Sequence, residues 1–211
     1  MAPKNPEKFP DLRPARQPLL IVLSGLSGSG KDVVLERLRQ SGYPIEFIVT
    51  LTTRARRSNE KDGVHYRFVT PARFQELIER KELLEWANVY ENWYGVPNEP
   101  VREALAAGKD VIVKIDVQGA ATVKRILPGA VLIFLATPSM EELEQRLRQR
   151  RTESASDVEV RLKTARKELQ QLRIFDYIVI NREGEVDRAV EEIRAIITAE
   201  KCRVKPREIK L

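Results

Sequence analysis

The stretch PLLIVLSGLSGSGKDVVLERLRQ (residues 18 to 40) joins an apolar run to a helical pattern through G-x-x-x-x-G-K. LLIVLS (19 to 24) reads as a buried strand. In DVVLERLRQ (32 to 40) the apolar Val33, Val34, Leu35 and Leu38 read as a helix that stops near Gly42. The loop alone is short enough to arise by chance. Between a strand and a helix N-terminus, its successive backbone N–H groups and the helix dipole converge on one anion. Gly25, Gly28 and Gly30 permit backbone conformations that a side chain would block, and Lys31 supplies a point charge for outer phosphates. Gly25, Leu26, Ser27, Gly28, Ser29, Gly30, Lys31 and Asp32 are thus the candidate cradle for a nucleotide's phosphates. The last position is unusual. Such loops ordinarily continue with Ser or Thr, whose hydroxyl ligates the magnesium ion carried on the phosphates.

Strand-like and helical segments alternate along the rest of the chain. IEFIVTLT (45 to 52), DVIVKID (110 to 116), AVLIFLA (130 to 136) and DYIVIN (176 to 181) read as strands. TPARFQELIERKELL opens as a helix with Thr70 as N-cap and Pro71 at the first helical position. Capping boxes are expected at Ser139 with Glu142 and at Ser156 with Glu159. Strands separated by helices require parallel crossovers, so the expected class is α/β with a doubly wound parallel sheet.

Composition narrows the partners. At 211 residues, 42% hydrophobic and 32% charged, the chain suits one globular domain. Its apolar runs fall far short of the roughly 20 residues of a membrane span, and the first 17 residues, with four prolines, read as unstructured and lack a signal-peptide core. A cytoplasmic location is expected. One cysteine, Cys202, and one histidine, His65, exclude an internal disulfide and a Cys/His metal cluster, so a metal must arrive with the substrate. The net charge of +6 points to an anionic partner. Basic residues bunch at TTRARR (52 to 57), RLRQRR (146 to 151) and KCRVKPREIKL (201 to 211) with no aromatic interleaved, which favours nucleotide phosphates over nucleic acid. The C-terminal tail reads as a solvated, frayed end.

Five motifs in order, the GLSGSGKD loop with TLTTRARRSNEKDGVHYRFV, LLEWANVYENWYGV, IDVQG and RLRQRRTES followed by VRL at 160 to 162, resemble the guanylate kinases. The resemblance implies a P-loop kinase fold over about residues 18 to 200, with a monophosphate-binding subdomain at about 50 to 98 and a helical lid at about 146 to 161. It implies transfer of a phosphoryl group from ATP to GMP, with dGMP also accepted, in the presence of magnesium, by a monomer or homodimer. Arg54 and Arg57 fall in the acceptor motif, where guanidinium forks suit a dianionic monophosphate. Tyr66 and Tyr94 match positions that hydrogen-bond the same phosphate, and Thr50, Glu60 and Asp116 fall on further acceptor positions. Glu85 matches the residue that reads the base: a carboxylate accepts from guanine N1–H and N2–H₂ together, whereas adenine presents a lone pair at N1. Arg146, Arg150 and Arg161 match lid arginines that neutralise the moving phosphoryl group.

Three residues depart from the family pattern. Asp32 replaces the hydroxyl, Lys114 stands where an acid usually precedes Asp116 by two, and Val96 stands where Ser or Thr usually follows Tyr-Gly. Asp32 reads as a magnesium ligand, a carboxylate being a hard oxygen donor; the opposing reading is that it repels the donor's phosphates. Two other functions stay open at this point. The G-S-G-K-D and Y-G-V strings also resemble ribose 1,5-bisphosphate phosphokinases, and guanylate-kinase-like domains of scaffold proteins bind peptides without catalysis.

Overall fold

A computed structural model describes residues 17–58, 60–89, 91–149 and 155–211. Among these, five strands form a parallel sheet in the order β2-β7-β1-β8-β9: β1 (Leu20–Gly25), β2 (Ile45–Ile48), β7 (Asp110–Lys114), β8 (Val131–Ala136) and β9 (Tyr177–Ile180). The two strands that read as unbroken apolar runs, β1 and β8, are buried at every residue. Helices cover both faces of such a sheet, so neither face alternates with polar residues. On one face α1 (Lys31–Gln40) packs with α7 (Val186–Lys201) over Leu19, Ile21, Leu23, Ile133 and Leu135. On the other, α3 (Asn98–Ala106) and α4 (Val117–Ile126) cover Leu20, Val22, Val111 and Val113. Beneath the loop after β1, α5 (Met140–Gln149) and α6 (Ala155–Gln170) contribute Leu143, Leu147, Val158 and Ala165 to a third cluster. The doubly wound parallel core is therefore as the sequence implies.

A second sheet, in the order β4-β3-β6-β5, is built from β3 (Leu51–Thr52), β4 (Arg67–Phe68), β5 (Leu83–Val89) and β6 (Asn92–Pro97). Helix α2 (Pro71–Glu79), capped by the Thr70 hydroxyl accepting from the Arg73 N–H, lays Phe74 and Leu77 against Leu51 and Trp93. The single strand expected over residues 45 to 52 is in fact two. Ile48 pairs with Val113 of the core, and after Thr50 the chain re-pairs with β4 and β6. An apolar run records burial but not which sheet buries it. The helix expected through Leu84 likewise ends at Glu79. Lys81 adopts the left-handed conformation (φ 56°), and the Lys81 and Glu82 N–H groups bond back to Ile78 and Leu77 in a Schellman motif. Without a glycine there, composition carries no sign of the stop.

Of the expected capping boxes, one half forms: Ser139 Oγ accepts from the Glu142 N–H at 3.2 Å, while the Glu142 carboxylate pairs with Arg146. Ser156 lies inside α6 instead of capping it. Arg150 and most of the proline-rich N-terminal segment (1 to 16) lie outside the described residues.

The tail does not fray as expected. Glu200, whose side chain is fully buried, accepts two hydrogen bonds of 2.8 Å from Arg207, and Tyr177 donates to it at 2.6 Å. The tail backbone also rests on Gly129, where a Cβ would stand 2.1 Å from the Glu208 carbonyl oxygen. Arg207→Ala leaves a buried carboxylate with Tyr177 and Arg203 as remaining partners, and is expected to lower unfolding free energy by about 2 kcal/mol. A urea-denaturation midpoint unchanged from the parent would show that the tail is an ornament on the fold.

Candidate active site

Ligands of open α/β sheets bind beyond the carboxyl ends of the strands. Here the ends of β1, β7 and β8 meet there, with Leu23 beside Lys114 and Gly25 beside Leu135. The loop leaving β1 turns on two glycines that no other residue could replace. A Cβ on Gly25 (φ 128°) would sit 2.1 Å from the Leu135 carbonyl oxygen, and one on Gly30 (φ 90°) 2.5 Å from the Asn181 amide nitrogen. Gly30 is the N-cap of α1 and no side chain caps the helix, which leaves its first-turn N–H groups facing the loop. Lys31 Nζ folds back over the loop onto the carbonyls of Gly25 (2.8 Å) and Leu26 (2.9 Å). Burial holds its ammonium below the ordinary range, against the pull of Glu168 and Asp32. Leu26 and Ser29 contribute backbone only: the Leu26 side chain is buried, and the Ser29 carbonyl accepts from Asn181 at 2.8 Å and Arg146 at 3.4 Å.

Arg146 and Arg161 both reach this loop, in different ways. Arg161, on α6, donates to Ser27 Oγ at 3.0 Å. Arg146 braces the loop, bonding the Ser29 and Asn181 carbonyls and pairing with Glu142. Sequence reasoning missed Glu168 and Asn181. The Glu168 carboxylate accepts from the Ser27 N–H at 3.2 Å, and burial pushes its carboxyl up, partly offset by Lys31. Its signal was available: Glu168 stands two helical turns from Arg161, on the same face of α6.

Asp32 and Lys114, two of the departures from the family pattern, form one ion pair in the fold. Lys114 Nζ also lies 4.0 Å from the centroid of the Tyr66 ring. Burial works against its charge, but Tyr66 and Asp32 outweigh it and hold the ammonium above its ordinary range. The acid at 32 therefore leaves the local balance of charge near neutral.

Most of the residues expected to hold the acceptor lie on or beside the second sheet. Arg54 pairs with Glu60 at 2.7 Å, and Glu60 also accepts from the Arg57 N–H at 2.8 Å. Burial penalises the Glu60 charge, yet these donors hold its carboxyl below the ordinary range. Glu60 thus shapes the loop that presents Arg54 and the exposed Arg57. The guanidinium of Arg54 lies 5.6 Å from the Tyr66 ring, which meets Tyr94 edge-on at 6.0 Å. Thr50 is buried where the chain crosses between the sheets, its carbonyl accepting from the Arg67 N–H at 2.9 Å. Asp116 caps α4, its carboxylate accepting from the N–H groups of Gly119 (3.0 Å) and Gln118 (3.2 Å).

Glu85 differs from all of these. It is 4% exposed, and its Oε2 has no hydrogen-bond partner. A Cβ on Gly119 would come 2.5 Å from that oxygen, so α4 approaches as closely as glycine allows. Val96, fully buried, is its cross-strand neighbour and offers no hydroxyl. Burial, with Asp116 adding to it, pushes the Glu85 carboxyl up to about 8. A buried, unsatisfied carboxyl is a costly thing to keep without a ligand that pairs with it.

A family model described as guanylate kinase matches residues 17–200. The chain belongs to the guanylate kinase family. Relatives within it include the Oryza sativa subsp. japonica protein named guanylate kinase 2, chloroplastic/mitochondrial, 44% identical over 95% of this chain and 70% of its own length. A guanylate kinase of Desulfitobacterium hafniense (strain Y51) is 46% identical over 89% of this chain and 92% of its length. Among solved structures, the guanylate kinase from Anaplasma phagocytophilum superposes with a TM-score of 0.75 at 31% identity, covering 90% of this chain and 89% of that one. The Lys114 and Tyr66 contact joins the end of β7 in the core sheet to the residue that precedes β4 in the second sheet.

Proposed function

We propose that the protein transfers the γ-phosphoryl group of ATP to GMP, and to dGMP, giving ADP and the nucleoside diphosphate. The observation that carries this reading is Glu85, a buried carboxylate with an unpaired oxygen in the sheet that also presents Arg54, Tyr66 and Tyr94. Guanine offers it two adjacent donors; adenine and a bare sugar phosphate offer it none in that arrangement. A ribose phosphate acceptor would leave Glu85 uncompensated.

In this reading Lys31 exchanges the Gly25 and Leu26 carbonyls for the donor's phosphates, and the N–H groups at the start of α1 take the phosphate oxygens. Arg54, Arg57, Tyr66 and Tyr94 hold the acceptor phosphate in line, while Arg161 and Arg150 of the lid neutralise charge on the moving group. Arg146, Asn181 and Glu60 keep these residues in place. Arg161 already reaches the phosphate loop, and closure of the lid over the bound nucleotides would exclude water.

Magnesium fits the residues present. Asp32 stands in the first turn of α1 with its side chain 61% exposed, a hard oxygen ligand beside the phosphate loop. Held by Asp32, the ion would offset the negative charge of the donor's phosphates. No helix among the described residues is long and apolar enough to cross a membrane, and we place the reaction in the cytoplasm.

A coupled ADP-release assay tests the assignment. GMP and dGMP are expected to turn over, and AMP, UMP and ribose 1,5-bisphosphate to be slower by at least two orders of magnitude. Preferential use of ribose 1,5-bisphosphate would replace the assignment; no turnover with any acceptor would favour a binding domain.

A further inference from the structure

Lys114 ends β7, the strand beside the one that feeds the phosphate loop, and only 11% of its side chain is exposed. Its partner Asp32 is 61% exposed. The asymmetry matters: the carboxylate can turn to water, whereas the ammonium is confined. An ion pair with one partner open to water contributes little to stability by itself. Lys114 also sits against a Tyr66 ring that belongs to the acceptor-side cluster with Arg54 and Tyr94. An ammonium carries three donors, more than one carboxylate oxygen and one phenol use. A small cleft between α1 and the edge of β2, lined among others by Asp32, Glu36, Phe47, Thr50, His65 and Lys114, reaches the Lys114 ammonium.

We infer that Lys114 is a further acceptor-binding residue: it rests on Asp32 in the free protein and gives its positive charge to the acceptor's dianionic phosphate monoester when that ligand binds. The inference rests on the proposed function. Asp32 and the acceptor phosphate then compete for one cation, so acceptor affinity is set partly by a residue of the donor loop. If Lys114 served only to neutralise Asp32, its loss would weaken the acceptor only through the bared Asp32 charge, and Asp32→Asn would by itself give no gain that depends on Lys114.

Calorimetric titration of the full chain with GMP, at fixed ionic strength and without ATP or magnesium, separates these cases. Lys114→Met keeps the unbranched stem and removes the charge; it is expected to weaken GMP binding about tenfold or more, with Lys114→Arg recovering most of the loss. Asp32→Asn is expected to tighten GMP severalfold by freeing Lys114. That gain should vanish in the Asp32→Asn/Lys114→Met double variant, since no cation is left to free. Removal of a repulsive charge at 32 would instead tighten GMP equally in both backgrounds. An equal gain, or a folded Lys114→Met that binds GMP like the parent, overturns the inference. Lys114→Gln supplies the same comparison should methionine disturb the fold, which thermal melting reports. Parent protein that binds no GMP would overturn the proposed function and this inference with it.

Discussion

Lys31→Ala is expected to lower kcat by about three orders of magnitude or more while the protein remains folded. The loss follows from the chemistry: phosphoryl transfer asks the protein for charge and alignment, and Lys31 is the side-chain cation rooted in the phosphate loop itself. The fold should tolerate the change because the hydrogen bonds Lys31 makes are to the Gly25 and Leu26 carbonyls, Leu26 keeps a second donor in the Ser29 N–H, and Glu168 keeps the Ser27 N–H and Arg161. The expected stability loss is about 1 kcal/mol. Turnover at saturating ATP, magnesium and GMP, beside a circular-dichroism melt, checks both halves. A folded variant with near-parental turnover would mean that the loop is not catalytic.

Glu85→Gln is expected to reduce kcat/KM for GMP by a factor on the order of 10⁴, with ATP binding little changed. The amide places a donor against a guanine donor, in a site where water cannot make good the loss. The same substitution should act on stability in the opposite sense. Because the folded carboxyl titrates at about 8, above its ordinary 4.5, the stability tied to its protonated form is fully present below 4.5 and is lost as pH rises through 8. The glutamine variant has nothing to ionise and should keep that stability in alkaline buffer. Guanine needs the carboxylate, so KM for GMP should fall as pH rises toward 8, and this dependence should disappear in the variant. An unchanged kcat/KM would mean that another residue reads the base; a parent KM indifferent to pH would mean that Glu85 is already ionised.

Much of this molecule is legible without coordinates because the interactions concerned are local. A strand, three glycines, a lysine and a helix lie within 21 residues of each other (20 to 40), so the phosphate loop needs no long-range contact to be recognised. Apolar runs bounded by helical segments specify a parallel doubly wound sheet for the same reason: crossover chirality and burial on both faces leave few other arrangements.

What the tertiary structure alone decided concerns residues far apart in the chain. Hydrophobic pattern could not say that the run from Ile45 to Thr52 would be divided between two sheets, since both halves are apolar and the sheets differ only in their partners. Composition marked the tail as basic, but the buried carboxylate that holds Arg207 is visible only once α7 is docked. Glu85 could be read as an acid near a tryptophan; its unpaired oxygen and raised carboxyl arise because Gly119 and Val96 close over it in space. Asp32 and Lys114, 82 positions apart, read in sequence as an acid gained at one place and lost at another, with nothing to say that the two side chains touch. They become one ion pair because β1 and β7 are neighbours in the sheet, and charge complementarity, unlike periodicity, has no signature along a chain until the fold brings its two halves within reach.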